Sequence, residues 1–478
     1  MAGHLWVWIG IALVVLSWWY SRNRNISSIE ERTIEGWRRQ IGEPKLTPLY
    51  RKVAVGLNSN IDLIVSGTAL LKSLNASGSR QVEHDVLESV QDLQEMFEHR
   101  MARCAAAERV FAHQEGYLEI VDHAHRLENK QYFVGGNAAL VGLKMASTFS
   151  DTKILLGGPV GDQLERLLLP NMEVPDGCRQ KNDEVHLILE YKSGETWGST
   201  TASCSNRFIF SYDIGNSNLL AMESFFTSLE SFKPDLVVLS GLHLLEKLDE
   251  SVWKAKIKEL TKHLSEISVA VPIHLELAST ASLDLLLALS RDVFPRVTSV
   301  GLNDQELMSV SKADNGPHSM SESVSGHHQI GLIADQLQWM LESFGVASSA
   351  YPKSKLSRVH FHSFIFHLIA VIHGKWQNSI TAVGAAARMA AIQACDSKII
   401  NANSVELKMS RTFLRSVEDP QLRADPIEFD PSVPISHWSR RHVDLFMSPV
   451  LICKHPTKTV GLGDAISATG LQNSLMIS

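Results

Sequence analysis

Near the carboxyl end the chain reads TVGLGDAISATG, residues 459–470. Two glycines enclose a leucine, an aspartate follows at once, and small residues suited to a helix come next. An aspartate at a helix start is ordinarily a cap for the free N–H groups of the first turn. The glycines ask for more, because each costs backbone entropy unless something approaches the chain closely. A phosphate would do so: helix-start N–H groups cradle such an anion, and Asp464 beside it could take a proton from the attacking group. Elsewhere Asn58, Asp62, Asn137, Glu276, Asn303 and Glu306 each stand where an apolar, strand-like run stops. One such residue is ordinarily a turn or cap. Several of them form a polar rim, and carboxylates and amides suit sugar hydroxyls and the waters around Mg²⁺.

Strand-then-turn units must position these residues. RKVAVGLNSNIDLIVSG (51–67), YFVGGNAALVGLKMAS (132–147) and TKILLGGPVGD (152–162) are three; PDLVVLSGLHLL (234–245), VPIHLELAS (271–279) and RVTSVGLNDQEL (296–307) are three more. Helix-length segments separate the last three, a rhythm that predicts βαβ units and a mostly parallel sheet with ligands at its carboxyl edge. Residues 184–198 and 206–213 read as a second sheet, and residues 82–128 as helices. Residues 312–330 read as a surface loop, 357–396 as two helix-length segments, and 400–450 as irregular with short strands.

With 478 residues, at ~150 per domain, two or three units are expected. A net charge of −7 and a pI near 6.3, with no basic cluster, argue against a nucleic-acid partner. There is no G-x-x-x-x-G-K-[ST], no strict G-x-G-x-x-G opening a strand–helix unit, and no G-x-S-x-G, which argues against P-loop, dinucleotide-binding and nucleophile-elbow chemistry. The pairs His123/His125 and His360/His362 are two apart, a spacing that on helices puts them on different faces. Five scattered cysteines, with no C-x-x-C, exclude a zinc framework and leave room for a disulfide whose pairing the spacing does not give.

The amino terminus carries an apolar run, Leu5 to Tyr20, ending in Trp18, Trp19 and Tyr20 and followed by Arg22 and Arg24. Its length falls between a signal peptide and a spanning helix; the aromatic end and the lack of an A-x-A site favour an uncleaved anchor. The triplets Asn25-Ile26-Ser27 and Asn75-Ala76-Ser77 are compatible with a secretory route.

In order along roughly 420 residues, GLNSNID, AAAERVF, YFVGGNAAL, EVHLILEY, NRFIFSYD, PDLVVLSGLH, HLELAS, GLNDQEL and TVGLGDAIS resemble the ADP-dependent glucokinase family of the ribokinase-like superfamily. The resemblance implies transfer of the β-phosphoryl of ADP to the 6-hydroxyl of glucose. It implies Asp464 as base, Gly461 and Gly463 at the anion hole with Arg207 on the ADP phosphates, and Glu276, Glu306 and Asp464 around one Mg²⁺ per subunit. Asn58, Asp62, Glu108, Gly136, Asn137 and His186 would meet the sugar. The expected architecture is α/β: a ribokinase-like catalytic domain (51–65, 132–181 and 214–478) and a smaller α/β lid (66–131 and 182–213). A linker (26–50) would follow a signal segment or anchor (1–25). A monomer held to the membrane by that segment is expected. The family implies the lumen of the endoplasmic reticulum or secretion, although Arg22 and Arg24 after the apolar run would favour a cytoplasmic domain. The alternatives are an ATP-using ribokinase-like sugar kinase and a non-catalytic, membrane-anchored sugar-binding protein.

Overall fold

A computed structural model describes residues 28–43, 47–77, 80–320, 329–457 and 461–477. The Leu5–Tyr20 run lies outside them. Among the described residues no helix is long and apolar enough to cross a membrane.

Two sheets organise the chain. The larger has ten strands in the order Ser436–Arg440, Val443–Pro449, Phe366–Ile372, Arg358–His362, Ser299–Leu302, Ile273–Glu276, Leu236–Leu239, Lys52–Gly56, Lys153–Gly157, Met172–Glu173. From Arg358–His362 to Met172–Glu173 all neighbours are parallel; the other three strands join antiparallel. Its middle strands are apolar on both sides because helices cover both. Ala54, Val237, Leu239 and Leu275 pack with Phe225, Trp253 and Leu337 of one helical layer. Val53, Val55 and Val238 alternate with them and pack with Val141, Met145 and Leu471 of the other. This is the α/β architecture with a mostly parallel central sheet expected from the sequence.

The smaller sheet has six strands, ordered Val86–Leu87, Ala107–Phe111, Asn206–Ser211, Val185–Tyr191, Asn60–Ser66, Gln131–Gly135. One face is apolar: Leu63, Val65, Leu187, Leu189, Phe208 and Phe210 are buried with Leu70, Phe97, Tyr117 and Ile120 of three helices. Strand alternation turns Asp62, His186, Arg207 and Glu108 to the other face, as the register Asp62↔His186, Ser211↔His186 and Ile209↔Glu108 requires. Strands Asn60–Ser66 and Gln131–Gly135 lie in this sheet, whereas the sequence reading put 51–65 and 132–181 with the larger one. The chain leaves the large sheet at Gly56 and enters the small one at Asn60, with only Leu57–Ser59 between.

Three segments differ from expectation. The supposed linker contains a 13-residue helix, Ile29–Ile41, opened by a Ser28/Glu31 capping box. Its Trp37 is fully buried and donates from Nε1 to Ser448 Oγ at 3.0 Å. The first half of 357–396 is a β-hairpin, Arg358–His362 and Phe366–Ile372, buried at every position, which removes the alternation that marks a half-buried strand. Within 82–128, Ala107–Phe111 is a strand.

Candidate active site

Helix Leu462–Gln472 begins behind Gly461, whose φ of +66° is the left-handed conformation glycine tolerates best. Asp464 occupies its first turn, 6% exposed, and receives a long hydrogen bond from Asn137 Nδ2 at 3.4 Å. Among the described residues no N-cap side chain bonds to this helix start, which leaves N–H groups of its first turn for an anion. At Gly463 an added Cβ would meet only His362 Cε1, at 3.4 Å. The protein's own packing does not require glycine there; the gap suits a phosphoryl group.

Glu276, at the end of strand Ile273–Glu276, is 4% exposed and accepts two imidazole hydrogen bonds: His274 Nε2 at 2.9 Å and His362 Nε2 at 2.8 Å. Burial opposes its charge, but these partners outweigh burial and hold the carboxyl down at about 2. The register pairs Glu276 with Gly301, and a Cβ at 301 would lie 2.0 Å from Glu276 Oε2, so the carboxylate takes the space a side chain would fill. Glu306 and Asn303 form a capping box: Asn303 N–H donates to Oε2 at 2.8 Å and Nδ2 to Oε1 at 2.9 Å. Burial pushes Glu306 up to about 7, with the charge of Glu276 adding to it. Asp464 is likewise pushed up to about 7, by burial first and Glu276 second. His362, whose charge burial disfavours, is raised overall by Glu276, Glu306 and Asp464, so these three carboxylates share one electrostatic neighbourhood.

The donor set fits a hydrated divalent cation. Glu306 and Asp464 are held near neutrality for want of positive charge, and both Glu276 oxygens are already hydrogen-bonded, so Mg²⁺ would reach it through water. Among the described residues, the two three-residue groups with ligand atoms within 4.8 Å of one another, His84/Asp92/Glu95 and Glu223/Glu259/His263, lie elsewhere.

The small sheet brings Asp62, Glu108, His186 and Arg207 together: the charges of His186, Arg207 and Glu108 all act on Asp62, whose pKa burial raises. Asn60 Nδ2 donates to Asp62 Oδ1 at 2.8 Å. His186 Nε2 meets Asp213 Oδ2 at 2.9 Å; that bond, with the charges of Asp213, Glu108 and Asp62, raises its pKa against the effect of burial. This face looks onto the large sheet's carboxyl edge, since His243, in the turn after strand Leu236–Leu239, feels both Glu108 and His186. Burial lowers His243 to about 4.

Asn58 stands behind the rim, its Oδ1 accepting from Ala138 N–H at 3.0 Å and so fixing the start of helix Asn137–Thr148, whose cap is Gly136. Asn216 bonds both ways with the Ser59 backbone, at 3.0 Å each, and ties the crossing segment to the Asp213 cluster.

The sequence reading missed His274, His362, Asp213 and Asn216. His362 had a signal: on a strand, residues two apart share a face, and the rings of His360 and His362 lie 5.9 Å apart. The helix-based argument against that pair was misplaced.

A buried carboxylate at a glycine-opened helix, below a second sheet of carboxylates and one arginine, defines a small-molecule kinase. The family model described as "ADP-specific Phosphofructokinase/Glucokinase conserved region" matches residues 51–473. The chain is 43% identical over 447 residues to the ADP-dependent glucokinase of Bos taurus, covering 93% of this chain and 88% of that one. It is 34% identical to a probable ADP-dependent glucokinase of Caenorhabditis elegans, covering 98% and 94%. The structure of an ancestral ADP-dependent phosphofructokinase of Methanosarcinales superposes with a TM-score of 0.67 at 18% identity, covering 93% of this chain and 97% of that one. The chain belongs to the ADP-specific phosphofructokinase/glucokinase family.

Proposed function

We propose that the protein is an ADP-dependent glucokinase, forming glucose 6-phosphate and AMP. The observation that carries glucose over a sugar phosphate is the open face of the small sheet, where Asp62 and Glu108 accompany a single arginine, Arg207. Two carboxylates suit neutral hydroxyls and repel a phosphorylated sugar. The bovine and nematode relatives carry the same substrate in their names.

In this reading Asp62, Glu108, His186 and Asn137, beside Gly136, orient the sugar. Its 6-hydroxyl gives its proton to Asp464 while its oxygen bonds to the β-phosphorus; the bond to the α-phosphate's bridging oxygen breaks, and AMP leaves. The N–H groups behind Gly461, including that of Gly463, hold the phosphoryl oxygens, and Arg207 adds its planar donors when the faces close. Closure about Leu57–Ser59 keeps out water that would otherwise accept the phosphoryl group. Bound Mg²⁺ would neutralise the phosphate charge, with Glu276, Glu306 and Asp464 placed to hold its waters.

Purified enzyme offered glucose or fructose 6-phosphate, each with ADP or ATP, tests the proposal. The highest kcat/KM falls to glucose with ADP. A preference for fructose 6-phosphate or for ATP refutes it.

We also propose that the catalytic domain lies in the lumen of the endoplasmic reticulum. The bridges Cys104–Cys204 and Cys395–Cys453, with Cα separations of 5.7 and 5.6 Å, favour an oxidising compartment, and Asn75 of the Asn-Ala-Ser triplet is exposed. Digestion of the domain by protease on sealed microsomes without detergent refutes this.

A further inference from the structure

Arg358 is wholly buried in the large sheet, yet its Nε and one terminal nitrogen have no partner among the described residues. Unpaired buried donors are costly, and among the described residues no carboxylate forms an ion pair with the cation. Its ring contact is Trp376, at 5.6 Å, and its one side-chain hydrogen bond runs from Nη1 to Ser299 Oγ at 2.8 Å. That hydroxyl lies 2.9 Å from His274 Nδ1, and His274 Nε2 lies 2.9 Å from Glu276 Oε2.

Proton counting gives this row a direction. A guanidinium only donates, so Ser299 Oγ accepts from Arg358. The hydroxyl's single proton is then free to point only toward His274 Nδ1. An Nδ1 that accepts leaves the neutral ring's proton on Nε2, aimed at Glu276. Were both ring nitrogens protonated, Ser299 would receive two donors and its own proton would be stranded in the core.

We propose that Arg358 is a positioning residue for the kinase reaction: through Ser299 it fixes the tautomer of His274, so that Glu276 always receives a hydrogen bond from behind and presents its remaining lone pairs to the hydrated metal. This rests on the reading of Glu276 as a metal-site residue. It gives a use to an arginine that lies under the site with no ion pair among the described residues. A neutral wire steadies the glutamate without neutralising it, whereas an imidazolium would compete with Mg²⁺ for its charge. Outer-shell partners of this kind typically contribute 10–100-fold to metal affinity or activity.

Two measurements test it. Neutron diffraction or histidine nitrogen NMR on the metal-free wild-type enzyme, with His274 identified by its loss in His274→Gln, should find Nδ1 bare and Nε2 protonated. A protonated Nδ1 overturns the proposal, and the diffraction reading needs no variant to fold. In kinetics, Ser299→Ala should raise the Mg²⁺ concentration for half-maximal velocity about tenfold with little change in KM for glucose. The same change in a His274→Gln background should add nothing, because the Gln amide donates to Glu276 whatever lies behind it. Equal effects of Ser299→Ala in both backgrounds refute the wire. If instead Glu276→Gln leaves the Mg²⁺ dependence unchanged, the metal-site reading fails, whereas the tautomer measurement still decides the wire.

Discussion

Replacing Asp464 by Asn separates chemistry from packing at one atom. Asn keeps the shape and leaves a partner for Asn137 Nδ2, now at 3.4 Å from the aspartate. It loses the capacity to take a proton, a loss typically costing ~10²–10⁴ in rate. The structure adds a second, opposite effect. The carboxyl sits at about 7, where a free aspartate titrates near 4, and burial is the first cause. At about 1.4 kcal/mol per pH unit, holding it ionised costs the folded chain up to roughly 4 kcal/mol. Because the folded pKa lies above the unfolded one, this penalty is absent below about pH 4 and complete above about pH 7. Asn carries no such charge. Metal-free Asp464→Asn should therefore melt several degrees above wild type at pH 8, and the gap should close toward pH 5. The assay pairs kcat with ADP and glucose against calorimetric melting at both pH values, in chelator. Turnover within a few-fold of wild type removes Asp464 as the base. A melting difference that does not change with pH refutes the electrostatic account.

Glu306→Gln should still fold, since Gln keeps the capping-box bond from Asn303 N–H and loses only the one from Asn303 Nδ2, yet raise the Mg²⁺ needed for half-maximal velocity about tenfold; an unchanged titration curve removes Glu306 from the metal site. Mg²⁺ binding at pH 7 should release protons, because a dication favours the charged forms of two carboxyls poised at about 7; calorimetry in two buffers of different ionisation heat should show it, and proton uptake would contradict it. Trp37→Ala should cost ~3–5 kcal/mol by urea unfolding, since a fully buried indole and its bond to Ser448 are lost; under 1 kcal/mol would mean that helix Ile29–Ile41 is not part of the fold. Cys178, unpaired and buried, has its thiol pushed up to about 12 by burial, so at pH 8 it should resist alkylation in the native protein and react at once in denaturant.

The rim of the site was legible because strand ends and glycine turns leave local marks. Gly461, Gly463 and Asp464 could be read as an anion cradle from three neighbouring residues, and Glu276 and Glu306 from the runs they terminate. What escaped notice depends on partners far along the chain. His362 reaches Glu276 across 86 residues, and Asn216 reaches Ser59 across 157. Burial on both sides also erases periodicity, which is why the hairpin Arg358–Ile372 read as helix and Trp37 read as part of a polar linker. Glu108 was named through the family motif, but its strand was hidden by Glu108 and Arg109, charges that suit an exposed helix as readily as an open sheet face.

The three carboxylates of the site show why residue type alone could not assign their parts. Glu276 is buried as deeply as Asp464, yet it is held at about 2 while Asp464 and Glu306 rise to about 7. The difference lies in the kind of donor: two imidazoles converge on Glu276, whereas Glu306 accepts only from the amides of Asn303 and Asp464 has a long bond from the Asn137 amide. A carboxylate held down at about 2 by imidazole donors stays ionised at every pH near neutrality. That same charge lifts its two neighbours into the range where a proton or a cation decides their state. A base for a sugar hydroxyl must accept a proton during the reaction and return it afterwards, and a carboxyl poised near 7 can do both, whereas one held at 2 cannot. In the proposed mechanism Glu276 would therefore act through its charge and Asp464 through its proton, a division that follows from His274 and His362 rather than from the carboxylates themselves.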